Sequence, residues 1–334
     1  RALIAFRTTG LGQLVQALGQ RHGADLLARW GGEEMYAQNH LRRDDPAVAS
    51  ALANFETNLR DITAAATGAG IPVILSTVAV NLADCPPFAS LHRPDLEDSD
   101  RAQWDTAFAR GIAAAEAGDQ AAAATAFAAA ARIDDRHAEL QYRWAESLAA
   151  LGRRAAAAER FALARDLDAL RFRAESRIND AVRRVADQAG TGADADTDTS
   201  AETDADVEVL DAAALFDDWA RQQETLVGAN LFYEHVHLNY RGNYLIAWEL
   251  FRRIAPRLPA SLRTGGDTDG PPPSPEACAK ALALSNWAHY NMLAKIFQMV
   301  KEPPFTGQYD HDRRLAAIRD GLAELRSRSS AEDA

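Results

Sequence analysis

Residues Ile71–Val80 read IPVILSTVAV, an unbroken run of β-branched and apolar residues with Gly68 and Gly70 before it and NLADCPP, 81–87, after it. A strand that is apolar on both faces is the mark of a buried parallel sheet, because helices must cover it from either side. The preceding stretch, DDPAVASALANFETNLRDITAAATGAG (44–70), predicts a helix. Asp45 is placed to cap it, Pro46 occupies the first position and the glycines stop it. Helix, glycine turn and buried strand together make an α/β unit. Further upstream, Leu11, Leu14, Val15, Leu18, Leu26 and Leu27 recur at helical spacing and predict another helix.

Downstream the composition changes. From Trp104 the chain is alanine-rich, and Gly118, Ala123, Phe127 and Ala130 return 34 residues later as Gly152, Ala157, Phe161 and Ala164. FAAAARID (127–134) aligns with FALARDLD (161–168). Small residues let paired helices approach, and a phenylalanine fills the gap between one pair and the next. The period and positions resemble tetratricopeptide repeats, helix–turn–helix units that stack in series. Two units bury little surface alone, so they are expected to dock on the α/β part. LRFRAESRINDAVRRVADQ (170–188) reads as an extra helix ending this region.

AGTGADADTDTSAETDAD (189–206) has no apolar side chain larger than alanine and reads as a solvated linker. Its aspartates lack the spacing of a calcium loop. VEVLD (207–211) is a strand candidate, AALFDDWARQQ (213–223) a helix, and GGDTDGPPPSPEA (265–277) a loop. The last segment predicts helices broken by EPPFTGQYDHD (302–312) and a frayed, charged end.

With 334 residues, 47% of them hydrophobic, the chain can bury a core in two domains or in one domain with a large insertion. A net charge of −12 repels phosphate, which excludes nucleic acid as the main partner. Cys85 and Cys278 form neither a disulfide framework nor a metal cluster. No apolar run is long enough to span a membrane, and no signal peptide is visible. The first residue is Arg1, and the expectation is that the natural start lies upstream.

The chemistry concentrates in FYEHVHLNYRGNYLIAWELF, Phe232–Phe251. Histidine moves protons near neutral pH, and a carboxylate that holds one ring nitrogen frees the other to act as a base. Glu234 and His237, three apart on a loop entering a helix, suit that pairing. Asn239 and Gly242 suit a tight helix entry, with Leu245, Ile246, Trp248, Leu250 and Phe251 seating the helix on the sheet. An alternative use, His235 and His237 as a metal pair, has no evident third ligand. Ser76 and Thr77 end the strand without a nucleophile elbow around them. Asn81 and Asp84 lie where the crevice of an open sheet would open, and are candidates to line a substrate site or to form the turn. Cys85 reads as a packed loop thiol, and Arg153, Arg154 and Arg160 as a solvated face.

Glu234-x-x-His237-x-Asn239-x-x-Gly242, just ahead of the last helix of an α/β domain, resembles the final conserved block of the SGNH (GDSL-type) hydrolases. That block usually carries Asp in place of Glu234 and Pro in place of Leu238. IPVILSTVAVN resembles the fourth strand of that family and VEVLD the fifth. RWGGEEMYAQNHLRRDDP (29–46), STVAVNLADCPPFAS (76–90) and EPPFTGQYDHDRR (302–314) are similar to segments of a bacterial subgroup with inserted tetratricopeptide repeats. The resemblance implies a partial doubly wound, flavodoxin-like parallel sheet with an all-α insert and C-terminal helices. It divides the chain into a first hydrolase part (1–100), the repeat insert (101–188), the acidic linker (189–206), a last hydrolase part (207–258), a loop (259–276) and a helical extension (277–334).

It further implies a serine esterase acting on a small-molecule or carbohydrate ester, with His237 as general base, Glu234 as its orienting acid, and neither cofactor nor metal. No Gly-Asp-Ser and no Gly-x-Asn stand near the start, so the nucleophile and oxyanion donors are expected before Arg1. The chain as written is expected to have little esterase activity and reduced stability, and export or membrane anchoring would depend on the same upstream segment. The competing expectation is a non-catalytic scaffold whose repeats bind a protein or peptide.

Overall fold

The computed structural model describes residues 39–191, 207–259, 261 and 273–332. The helix expected from the leucines at 11–27, the acidic residues 192–206 and most of the proline-rich loop lie outside these. The described chain is mostly helical, 64%, with one small parallel sheet.

Helix α1 (Pro46–Thr67) begins as its sequence dictates, with Asp45 accepting the Ala47 amide and Pro46 at the first turn. It leads into β1 (Val73–Ser76), which pairs in parallel with β2 (Val207–Leu210) in the register Val73–Val207 to Ser76–Leu210. Val73, Leu75, Val207 and Val209 share one face and pack against Phe55 and Leu59 of α1 and Val182, Val185 and Ala186 of α6 (Ser176–Thr191). Each such side chain removed from water contributes about 1.5–3 kcal/mol. Strand alternation turns Glu208 to the other face, where Arg257 meets it at 2.8 Å and Arg253 at 3.5 Å.

The strand expected over 71–80 is shorter, and the reason is local. Thr77 makes the last ladder bond, to Leu210 O at 3.0 Å. The Asn179 side chain of α6 then takes both backbone groups of Val78, at 2.8 and 3.0 Å, as a neighbouring strand would. Ile71 is 55% exposed and Val78 44%, so the run is not buried along its whole length. Two strands are present among the described residues, and a doubly wound sheet is not seen. Helices outweigh these strands, giving an α-dominated molecule. Helix α6 is the extra helix expected over 170–188. It lies on the sheet beside α1, and it runs to Thr191, past the expected linker boundary at 189.

The 34-residue period folds as two helical hairpins, α2 (Asp98–Glu116) with α3 (Gln120–Ala131), and α4 (Ala138–Ala150) with α5 (Arg154–Leu167). Gly118 and Gly152 turn each hairpin at φ +82° and +73°, a region that side chains avoid. Ala123, Phe127, Ala130 and their counterparts Ala157, Phe161 and Ala164 are all buried. A Cβ at Gly111 would sit 2.4 Å from the Phe127 ring, so this glycine admits the plug. The second hairpin docks on the sheet's loops through the Tyr142 hydroxyl, which donates to Ala83 O at 2.5 Å.

At the hairpin junction His137 accepts the Leu140 amide at the start of α4 and packs beside Trp104 and His92. Burial, reinforced by His92, holds its pKa down to about 3. It is therefore neutral when folded but takes a proton when unfolded below about pH 6.5. The unfolded state then binds more protons, so stability falls by about 1.4 kcal/mol per pH unit as pH drops from about 6.5 towards 3. His137→Asn keeps a capping side chain and removes this linkage. Its unfolding free energy, measured by urea titration, is expected to show a shallower acid slope by about one proton.

After β2, α7 (Ala212–Gln222) and α8 (Tyr240–Ile254) flank the loop of interest. The C-terminus forms α9 (Pro275–Ala281), α10 (Asn286–Val300) and α11 (His311–Glu332), with a 3-10 turn at Phe305–Gly307. The end expected to fray is helical as far as Glu332. Among the described residues no helix is long and apolar enough to cross a membrane.

Candidate functional site

The loop between α7 and α8 closes on itself. Phe232 and Leu238 form an antiparallel bridge, Tyr233 N–H donates to His237 O at 2.8 Å, and Asn239 N–H donates to Leu231 O at 2.9 Å. Glu234 turns inward and is fully buried, and the loop wraps around its carboxylate. Oε1 accepts the His237 amide at 2.6 Å and faces His237 Nδ1 at 2.5 Å. Oε2 accepts the His235 amide at 2.6 Å and lies against His235 Nδ1. With both oxygens accepting backbone amides, an ionised Glu234 would place the His237 proton on Nδ1 and leave the Nε2 lone pair pointing away. The His237 side chain is 61% exposed, and no described residue hydrogen-bonds Nε2. A buried acid holding an open imidazole is the arrangement a general base requires.

Asn239 and Gly242 set the helix behind this loop. Asn239 caps α8 by accepting the Gly242 amide at 3.1 Å, and its amide group donates to Ala229 O at 3.1 Å. A Cβ at Gly242 would lie 2.5 Å from Leu231 O, so only glycine lets α8 start this close to the loop. Of the residues proposed to seat α8, Phe251 is nearly half exposed, and Arg253 meets β2 through Glu208 instead.

Of the two roles open to Asn81 and Asp84, the hydrogen bonds of Asn81 are those of a turn. Asn81 is buried, its amide group donating to Glu234 O at 2.7 Å and its oxygen accepting the Asp84 amide at 3.0 Å. Its backbone N–H donates to His235 O at 3.0 Å. It positions the loop from beneath, and its amide is already bonded at both ends. Asp84 accepts the Ala229 amide at 2.7 Å, close enough that a Cβ at Gly228 would collide with its carboxylate. Thr77 donates to Asp211, the cap of α7, and Ser76 to the neighbouring carbonyl, so neither lies beside His237. His235 is inside the fold, edge-on to Phe88 and Phe305 with centroids 5.5 and 5.3 Å away. It therefore does not share an exposed face with His237 as a metal pair would. No cluster of three or more His, Cys, Asp or Glu suited to a metal occurs among the described residues.

Two residues behind the site gave no sequence signal. Arg173 is buried, and donates to Asn81 O at 2.9 Å, to Cys85 O at 2.8 Å and to Asp168 at 3.2 Å. Asp168 in turn accepts the amides of Phe88, Ala89 and Leu170. Within RFRAESR, Arg173 looks like any solvated arginine. Cys85 is packed and buried as read from the sequence. Arg160, assigned to a solvated face, instead covers the Trp144 ring at 3.8 Å and donates to Gln141 at 2.9 Å.

A scan against protein-family models, a search of curated proteins and a search of solved structures each found no match to the chain.

Proposed function

We propose that Glu234 and His237 are the acid–base half of an SGNH-type serine ester hydrolase, completed by a serine and oxyanion donors outside the described residues. The observation that carries this reading is the 2.5 Å contact of His237 Nδ1 with a fully buried Glu234 carboxylate, beneath an exposed ring. His237 Nε2 would take the serine proton as the hydroxyl attacks an ester carbonyl, then return it to the leaving alcohol. Glu234 would stabilise the imidazolium between these steps. On the same reading the parallel β1–β2 pair is part of a doubly wound sheet, and the hairpins are a tetratricopeptide insert. The substrate class is an acyl or carbohydrate ester.

In the full-length gene product, a fluorophosphonate probe is expected to label one serine. His237→Ala is expected to cut both that labelling and ester turnover by roughly 10²–10⁴-fold. A full-length protein with no labelled serine, or labelling indifferent to His237→Ala, would contradict the hydrolase and favour an interaction module.

A further inference from the structure

Arg143 and Glu146 lie one turn apart on α4, and Tyr309 sits across them. The Arg143 guanidinium lies 3.7 Å from the centre of the Tyr309 ring, and Glu139 holds it in place at 2.7 Å. The Tyr309 hydroxyl donates to Glu146, which also meets Arg313 at 3.4 Å. The ring packs on the core of the second hairpin with Tyr142, 6.0 Å away centre to centre. Burial raises the pKa values of both Tyr309 and Glu146, so the hydroxyl keeps its proton for this bond.

The same segment reaches the site from its other end. Gln308 donates to Pro86 O at 2.5 Å. Phe305, fully buried, stands edge-on to both Phe88 and His235 with centroids 5.3 Å away in each case. Phe305, Gln308 and Tyr309 thus form one continuous bridge from α4 to the ring beside Glu234. Aromatic edge contacts and a cation over a ring together hold a short segment in register.

We propose that the repeat hairpin holds the chain's own segment Glu302–Asp312 as its ligand and, through Phe305 against His235, fixes the loop that carries Glu234 and His237. The repeats are then a clamp on the acid–base pair, and Tyr309 and Phe305 are positioning residues. The consequence for ester cleavage rests on the hydrolase reading, whereas the clamp itself does not.

Amide hydrogen exchange on the chain carrying Tyr309→Ala tests this. Exchange at the His235 and His237 amides is expected to rise about tenfold or more, with Leu75 of β1 and Leu210 of β2 unchanged. Unchanged exchange at 235 and 237, or equal acceleration in β1 and β2, would overturn the proposal. If Tyr309→Ala does not fold, Tyr309→Phe serves. It keeps the ring under Arg143 and loses the hydroxyl, and about a threefold rise at the same two amides is expected. No rise there would equally overturn it. Because no serine is needed for this readout, the clamp and the hydrolase reading can fail separately.

Discussion

Arg173→Met is expected to lower the unfolding free energy of the chain by about 3–5 kcal/mol, the cost of leaving one member of a buried ion pair alone. The guanidinium is sealed beneath the site, where it ties the loop after β1 to Asp168. It bonds the carbonyls of Asn81 and Cys85 and the carboxylate of Asp168. Methionine fills similar volume but donates nothing, so two carbonyls lose a donor and Asp168 loses its counter-charge. Removing that charge as well, in Arg173→Met with Asp168→Asn, is expected to recover only part of the loss. Asp168 also accepts three backbone amides, and a single amide oxygen cannot serve all three. Urea titration of both variants checks this. A loss below about 1 kcal/mol in Arg173→Met would mean that water already reaches the pair.

Glu234→Gln keeps the shape of the site and inverts half of its chemistry. One carboxylate oxygen becomes an NH₂ group that faces an N–H donor, since both oxygens now accept from backbone amides. An unsatisfied buried amide costs about 1–3 kcal/mol. The larger effect is on His237, because the side chain that fixed its tautomer is gone. In the full-length protein ester turnover is expected to fall by about 10⁴-fold, the loss seen when the orienting acid of a triad becomes an amide. Steady-state kinetics with a chromogenic acyl ester measures it. Turnover within about threefold of the parent would remove Glu234 from any catalytic role.

The parts of the fold that follow from local rules were legible in the sequence. Asp45 with Pro46 announced α1, Gly118 and Gly152 announced the hairpin turns, and the 34-residue period announced two stacked units. The length of β1 was not legible, because the residue that ends it, Asn179, lies about a hundred positions away and acts through its side chain. The apolar run after Ser76 is therefore loop, buried at Val80 and open at Val78. The pairing of Glu234 with His237 could be read because both lie on one short loop. The support beneath it could not, since Asn81, Arg173 and Phe305 come from three distant segments and assemble under the loop only in the folded chain. For the same reason a position at the end of a strand leaves Asn81 open to lining a crevice or forming the turn, while its hydrogen bonds place it underneath the loop.

The central claim is that a buried carboxylate fixes the His237 ring with Nδ1 protonated and Nε2 open. Two-bond proton–nitrogen correlation spectra of the histidine rings, recorded on this chain at neutral pH and again for Glu234→Gln, test it most directly. The account predicts a neutral His237 ring in the Nδ1–H form, lost in the variant. A ring in the Nε2–H form, or one exchanging between forms like free imidazole in both proteins, would contradict it.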